Sequence, residues 1–217
     1  MLEKFVTIDE IAVPLELQDV DTDRIIPARF LRKPRTVGYG QFMFYDLRFD
    51  DDGQPRSEFP LNRDVYRGAR ILVADVNFGC GSSREGAVWA LSDTTHPDSS
   101  AGFRCIIAPS FGDIFYNNCT NNGVLPVRLG PADCATLRRQ LEEAPGARLQ
   151  VDLPKQVVRG PDGRQYSFDI DPFRKQRLLE GQDEISLTMT HQAAIEAFES
   201  RRRSVVPWLT PDGEASS

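Results

Sequence analysis

RILVADVNFGCGSSREGAVWALS, Arg70–Ser92, decides the fold class. Arg70–Val76 is an apolar, β-branched run and reads as a buried strand. Asn77–Ser83 is a loop of small residues, and Arg84–Ser92 reads as a helix. Downstream, His96–Gly102 reads as a loop and Phe103–Pro109 as a second buried strand. Phe111–Asn122 is helical in pattern and is stopped by Gly123, and Val124–Val127 is a third short strand. Strand, helix, strand, helix, strand in this order predicts parallel pairing with right-handed crossovers, hence an α/β class.

Around this centre, Phe5–Leu15 alternates like a strand and Gln18–Arg24 is a polar turn. Tyr39–Phe49 predicts a short helix, and Asp50–Ser57 an exposed loop. Pro131–Glu143 is an amphipathic helix. Val151–Val158 and Gln165–Asp169 flank Gly160-Pro161-Asp162-Gly163 as a hairpin. A last helix starts near Thr190 and ends near Arg203. One domain is expected over residues 1–208, with a disordered tail at 209–217.

The 217 residues are 40% apolar and carry a formal charge of −6. Apart from Arg201-Arg202-Arg203 no basic run could track phosphates, which argues against nucleic acid. Of the 26 cationic residues 22 are arginine, so arginine abundance by itself is no sign of anion binding. No apolar run is long enough to cross a bilayer. The acidic, alternating N-terminus is unlike a signal peptide, so a cytoplasmic location is expected. The four cysteines (Cys80, Cys105, Cys119, Cys134) form no CxxC pair, and His96 and His191 are not beside them. No metal site of this chain's own is expected, and the thiols read as reduced and mostly buried.

The chemistry concentrates in Asn77–Glu85. Glycines permit a tight turn with backbone N–H groups facing inward, at the N-terminus of a helix that attracts anions. Arg84 adds a bidentate clamp for a carboxylate or phosphate, and Ser82 and Ser83 add hydroxyls. A small anion is the ligand these residue types suggest. Ser82 or Ser83 capping the helix, with Glu85 completing the cap, is the plainer alternative. The spacing fits neither a Walker phosphate loop nor the GxSxG elbow of a serine hydrolase. Cys80 beside a helix start could be a thiol nucleophile, although a small buried side chain accounts for it more simply. A second polar segment, Asp21-Thr22-Asp23-Arg24, leads into a cationic stretch with Arg32, Lys33 and Arg35. Together with Gly81–Arg84 it offers two arms for a dicarboxylate.

DTDRIIPARFL, GQFMFYDLRFD, NFGCGSSRE with WAL, APSFGDIFYNNC with NNGVLP, and GQDEISLTM with IEAFE occur in this order over nearly the whole chain. This set resembles the small subunit of 3-isopropylmalate dehydratase, itself similar to the swivelling fourth domain of aconitase. The resemblance implies a swivelling β/β/α domain and a large partner subunit that bears a [4Fe–4S] cluster. It implies reversible dehydration and rehydration of a small hydroxy dicarboxylate in leucine biosynthesis. By the same resemblance Ser82 is the base, with its alkoxide stabilised by N–H groups of the loop around Gly81. Arg84 holds a substrate carboxylate, and Asp23 orients the loop or the group that handles the hydroxyl. Arg35 grips another part of the substrate, Ser83 donates from behind, and Arg32–Val37 forms part of a specificity pocket. Two departures point to a relative acting on another alkyl- or methylmalate, or to a non-catalytic carboxylate-binding module. Gly86 stands where the family pattern has histidine, and Ser92–Gly102 is lengthened.

Overall fold

The computed structural model describes residues 2–95, 101–189, 191–206 and 208. In chain order its regular elements are β1 (Thr7–Pro14), α1 (Thr22–Ile25), α2 (Tyr45–Arg48), β2 (Ala69–Val73) and α3 (Glu85–Ser92). There follow β3 (Ala101–Ala108), α4 (Asp113–Asn121), β4 (Leu125–Arg128), α5 (Pro131–Glu143), β5 (Arg148–Asp152) and β6 (Val157–Arg159). The last are β7 (Gln165–Ser167), α6 (Pro172–Glu180), α7 (Glu184–Met189) and α8 (Gln192–Val205). Among the described residues no helix is long and apolar enough to cross a membrane.

The strands form one sheet in the order β4-β3-β2-β1-β5-β6-β7. β1 joins two kinds of pairing. Its first half, Thr7–Ile11, runs antiparallel to β5, and Ala12–Pro14 runs parallel to β2. β2, β3 and β4 continue the parallel part, as the sequence predicts, and β5–β7 form the antiparallel part. Parallel strands are covered on both faces, which requires apolar residues in succession. Ile71, Leu72, Val73, Cys105, Ile106 and Ile107 are all fully buried. Leu72 and Ile106 face the cluster under α3 and α4, while Ile71, Val73, Cys105 and Ile107 face α5 and the antiparallel strands.

Several boundaries differ from the sequence reading, each for a local reason. β2 stops at Val73 because Asp75 turns back on itself, accepting from the Val76 N–H at 2.7 Å, and Asn77 follows at φ +59°. Tyr39–Phe49 is not one helix. A 3-10 turn (Tyr39–Phe42) and α2 are separated by Phe44 in the left-handed region at φ +52°. Val151–Val158 is not one strand but the corner between β5 and β6, where Pro154 has no N–H to donate and Asp152 accepts from the Lys155 N–H at 2.8 Å. The Gly160–Gly163 turn joins β6 to β7 as a hairpin, closed by Gly160 N–H on the Arg164 carbonyl at 2.9 Å. Ala101 and Gly102 belong to β3 rather than to the preceding loop, whose residues 96–100 lie outside the described residues. Helix α6 has no counterpart in the sequence reading, although Asp171 caps it, Pro172 opens it and Gly181 closes it at φ +66°. The last helix begins at Gln192; Thr190 and the 209–217 tail lie outside the described residues.

Candidate active site

The carboxyl ends of β1, β2 and β3 lead into three segments that meet side by side, the usual position for a ligand site in a parallel sheet. The middle one, Asn77–Arg84, is fastened on both flanks. Toward the β1 segment, the Asn77 side-chain amide donates to the Asp19 carboxylate at 2.7 Å. Gly79 N–H donates to the Val20 carbonyl at 2.7 Å, and Thr22 N–H to the Cys80 carbonyl at 3.1 Å. The Thr22 hydroxyl donates to the Ser82 carbonyl at 2.8 Å. Toward the β3 segment, Phe78 N–H donates to the Ser110 carbonyl and Gly112 N–H to the Phe78 carbonyl, both at 3.0 Å. Behind it, Arg138 of α5 donates to the Ala74 carbonyl at 2.8 Å and pairs with Asp75 at 3.0 Å. Both side chains are largely buried, and the pair fixes where the chain leaves β2.

Two glycines make this close approach possible. A Cβ on Gly79 would lie 2.2 Å from the Phe115 ring, and one on Gly112 would lie 2.4 Å from the Gly79 carbonyl oxygen. Backbone therefore packs on backbone where the loop crosses the start of α4. The outcome is an exposed tip at Gly81, Ser82 and Ser83 above a rigid base.

The helix-cap alternative does not hold. α3 begins at Glu85, Arg84 holds the capping position, and no side chain caps the helix. Among the described residues no hydrogen bond engages the Ser82 or Ser83 hydroxyl; only the Ser82 carbonyl is taken. Arg84 Nη1 pairs with the Asp23 carboxylate on α1, the arginine side chain being 20% exposed and the aspartate 53%. That nitrogen is buried and makes no hydrogen bond of aligned geometry, so the contact is an ion pair. A cavity of about 250 Å³ is lined by Thr22, Gly81, Ser82, Ser83 and Arg84 on one side and by Gly112–Phe115 on the other.

The second cationic arm is not part of this cavity. Arg35 lies with its guanidinium 4.6 Å from the centre of the Trp89 ring and lines a different cavity with Thr36, Tyr39 and Asp93. The reason is the anchoring of its loop. The Tyr39 hydroxyl donates to the Lys33 carbonyl at 2.8 Å, and Gly40 N–H donates to Asp93 just past the end of α3 at 3.0 Å. Eight helical residues separate the two ends of α3, a length of about 12 Å. Arg32 is exposed and pairs with no carboxylate among the described residues. Gly86 is buried, and a Cβ there would lie 2.6 Å from Leu31 Cδ2. The side chain missing at position 86 makes room for Leu31.

Cys80 runs against the activated-thiol reading. Burial, together with the Asp21 and Asp19 carboxylates, pushes its thiol up rather than down. Burial pushes Cys134 up to about 12 and raises Cys105 and Cys119 as well. Among the described residues no group of three or more His, Cys, Asp or Glu could hold a metal ion.

The sequence reading missed Thr22 and the Gly112–Phe115 wall. The available signal was a repeated Phe-Gly after a buried strand. Phe78-Gly79 and Phe111-Gly112 lie next to each other, with Phe78 and Phe111 bridged in parallel.

Residues 2–132 match the family model described as Aconitase C-terminal domain, and 135–172 match LeuD_N. Residues 184–212 match the model for the C-terminal domain of the 3-isopropylmalate dehydratase small subunit. The 3-isopropylmalate dehydratase small subunit of Roseobacter denitrificans is 48% identical over 208 residues, covering 96% of this chain and all of that protein. The chain belongs to the 3-isopropylmalate dehydratase small-subunit family. The small subunit of Rhodopseudomonas palustris strain BisA53 is 47% identical over 207 residues, covering 95% of this chain and all of its own length. A crystal structure of 3-isopropylmalate dehydratase from Methanocaldococcus jannaschii matches with a TM-score of 0.59 at 24% identity, over 89% of this chain and 99% of that one. At that identity it shows the fold alone. As a 3-isopropylmalate dehydratase small subunit, the chain is of the hydro-lyase type.

Proposed function

We propose that this chain joins a large subunit bearing a [4Fe–4S] cluster, in the cytoplasm, and completes the site that interconverts 2-isopropylmalate and 3-isopropylmalate in leucine biosynthesis. The observation that carries the reading is the unengaged Ser82 hydroxyl in one cavity with an arginine that a carboxylate holds in place.

In this reading Ser82, as its alkoxide, takes the proton from the carbon next to a substrate carboxylate. The C–H electron pair becomes the carbon–carbon double bond as the hydroxyl leaves the neighbouring carbon. Serine is a weak base, so its alkoxide needs donors fixed in advance. The N–H groups around Gly81 and the Arg84 guanidinium are the donors at hand, and Ser83 adds a hydroxyl beside them. Thr22 fixes the Ser82 backbone through its carbonyl, and Asp23 orients Arg84 toward a substrate carboxylate. Arg32 and Arg35, exposed and outside the cavity, contribute attraction for the dianion and raise encounter rather than grip it. Handling of the departing hydroxyl is left to the large subunit, whose cluster supplies a Lewis acid.

A second reading is a relative acting on another alkylmalate, which Leu31 filling the space beside Gly86 favours. Anaerobic reconstitution tests both. The chain alone should be inactive, and with its large subunit it should turn over isopropylmalate. Preferential turnover of a different alkylmalate supports the second reading. Carboxylate binding with no association and no turnover supports a non-catalytic module.

A further inference from the structure

We infer that Ile114 is the apolar wall against which the alkyl branch of the substrate packs, and so a residue that decides which branch is accepted; this rests on the alkylmalate reading above. In 3-isopropylmalate the carbon that loses its proton also carries the isopropyl group. Whatever faces Ser82 at that carbon therefore has the branch one bond away, and the cavity beside Ser82 must offer apolar surface to it. Thr22, Ser83, Arg84 and Asp113 supply the polar part of its lining. Phe115 also lines it, but its ring is buried under Gly79 and its surface is already used. Ile114 is different. It is the second residue of α4, it is 53% exposed, and it lines the same cavity as Ser82 and Arg84.

A lone exposed isoleucine is ordinary on a protein surface. This one is held at the reacting site by the Phe78–Phe111 bridge and the Gly79–Gly112 crossing, which fix the start of α4 against the loop. The Arg32–Val37 segment, by contrast, lines the other cavity through Arg35 and Thr36.

The test uses the reconstituted complex with 3-isopropylmalate and 3-methylmalate as paired substrates. Ile114→Ala should lower the kcat/KM ratio of isopropyl over methyl substrate by on the order of tenfold, mainly through KM, because a few methylenes of apolar contact are lost. Ile114→Val should fall between. Association of the two subunits, measured in parallel by titration, should be unchanged. An equal fall for both substrates, or weaker association with an unchanged ratio, would assign Ile114 to the interface with the large subunit and overturn the inference. If the wild-type complex turns over neither substrate, the inference and the reading beneath it both fail. If it turns over both and the ratio stays constant in Ile114→Ala, only the inference fails.

Discussion

The buried Thr22 hydroxyl donates to the carbonyl oxygen of Ser82 across 2.8 Å, joining α1 to the tip of the glycine loop 60 residues later. This bond ties the backbone from which the Ser82 hydroxyl projects directly to α1. Thr22→Val keeps the shape and removes the donor. A net loss of about 1 kcal/mol is expected in stability, a fall in Tm of roughly 2–4 °C. The turnover of the complex should fall further, about tenfold or more, because a small misplacement of a reacting group is costly. Thr22→Ser should restore both. Thermal melts and kcat on the same preparations separate the two effects.

Arg84 pairs with the Asp23 carboxylate, and in the proposed reading this pair aims the guanidinium. Asp23→Asn leaves Arg84 charged and without its orienting partner, and kcat/KM should fall by roughly tenfold to a hundredfold. Arg84→Lys should not substitute, because an ammonium lacks the planar fork. Arg35→Ala should lower kcat/KM less than Arg84→Ala does, since Arg35 lies outside the cavity. It should also weaken the salt dependence of kcat/KM. Steady-state kinetics at two ionic strengths distinguish grip from attraction.

The thiols predict an alkaline limit. Cys134 is raised to about 12 by burial, so the folded state holds its proton while the unfolded chain, with an ordinary thiol near 9, has lost it. The folded state thus binds more protons above pH 9, and this part of the stability is present below pH 9 and is lost as pH rises toward 12. Tm should fall between about pH 9 and 11, and less steeply in Cys134→Ala. Cys80, also raised, should react slowly with iodoacetamide at about neutral pH, and Cys80→Ala should retain activity.

Gly86 gives a prediction of opposite sign in two backgrounds. Alanine for glycine inside a helix gains roughly 1 kcal/mol. Here the new Cβ would meet Leu31 Cδ2 at 2.6 Å, so that side chain must move. Gly86→Ala should be neutral to destabilising in the wild type and stabilising in a Leu31→Ala background. Denaturant titration of the four variants measures the coupling, and an identical effect in both backgrounds would show that Leu31 does not limit position 86.

Much of the fold was legible in the chain. The apolar runs at Ile71–Val73 and Cys105–Ala108 announce buried parallel strands, and the small residues between Asn77 and Ser83 announce the loop. Pro131–Glu143 is read to the residue, because a proline start and a regular apolar stripe define it. What sequence pattern missed depends on single backbone conformations and on contacts far apart in the chain. Phe44 in a left-handed conformation cannot be anticipated from an aromatic run. Thr22 looks like part of a polar turn until the fold brings it under Ser82. Arg35 is near Asp23 in sequence, yet its guanidinium rests over Trp89, and Gly40 just beyond its loop is tied to Asp93 past the end of α3. Ile114 carries no motif at all, and its significance comes only from the cavity it shares.

The role of Ser82 as base is tested most directly by Ser82→Ala in the anaerobically reconstituted complex, with association and cluster absorbance monitored alongside. The predicted result is a fall in kcat on the order of a thousandfold, with KM, association and absorbance nearly unchanged. A variant that turns over isopropylmalate at the wild-type rate would contradict it and remove Ser82 from that role.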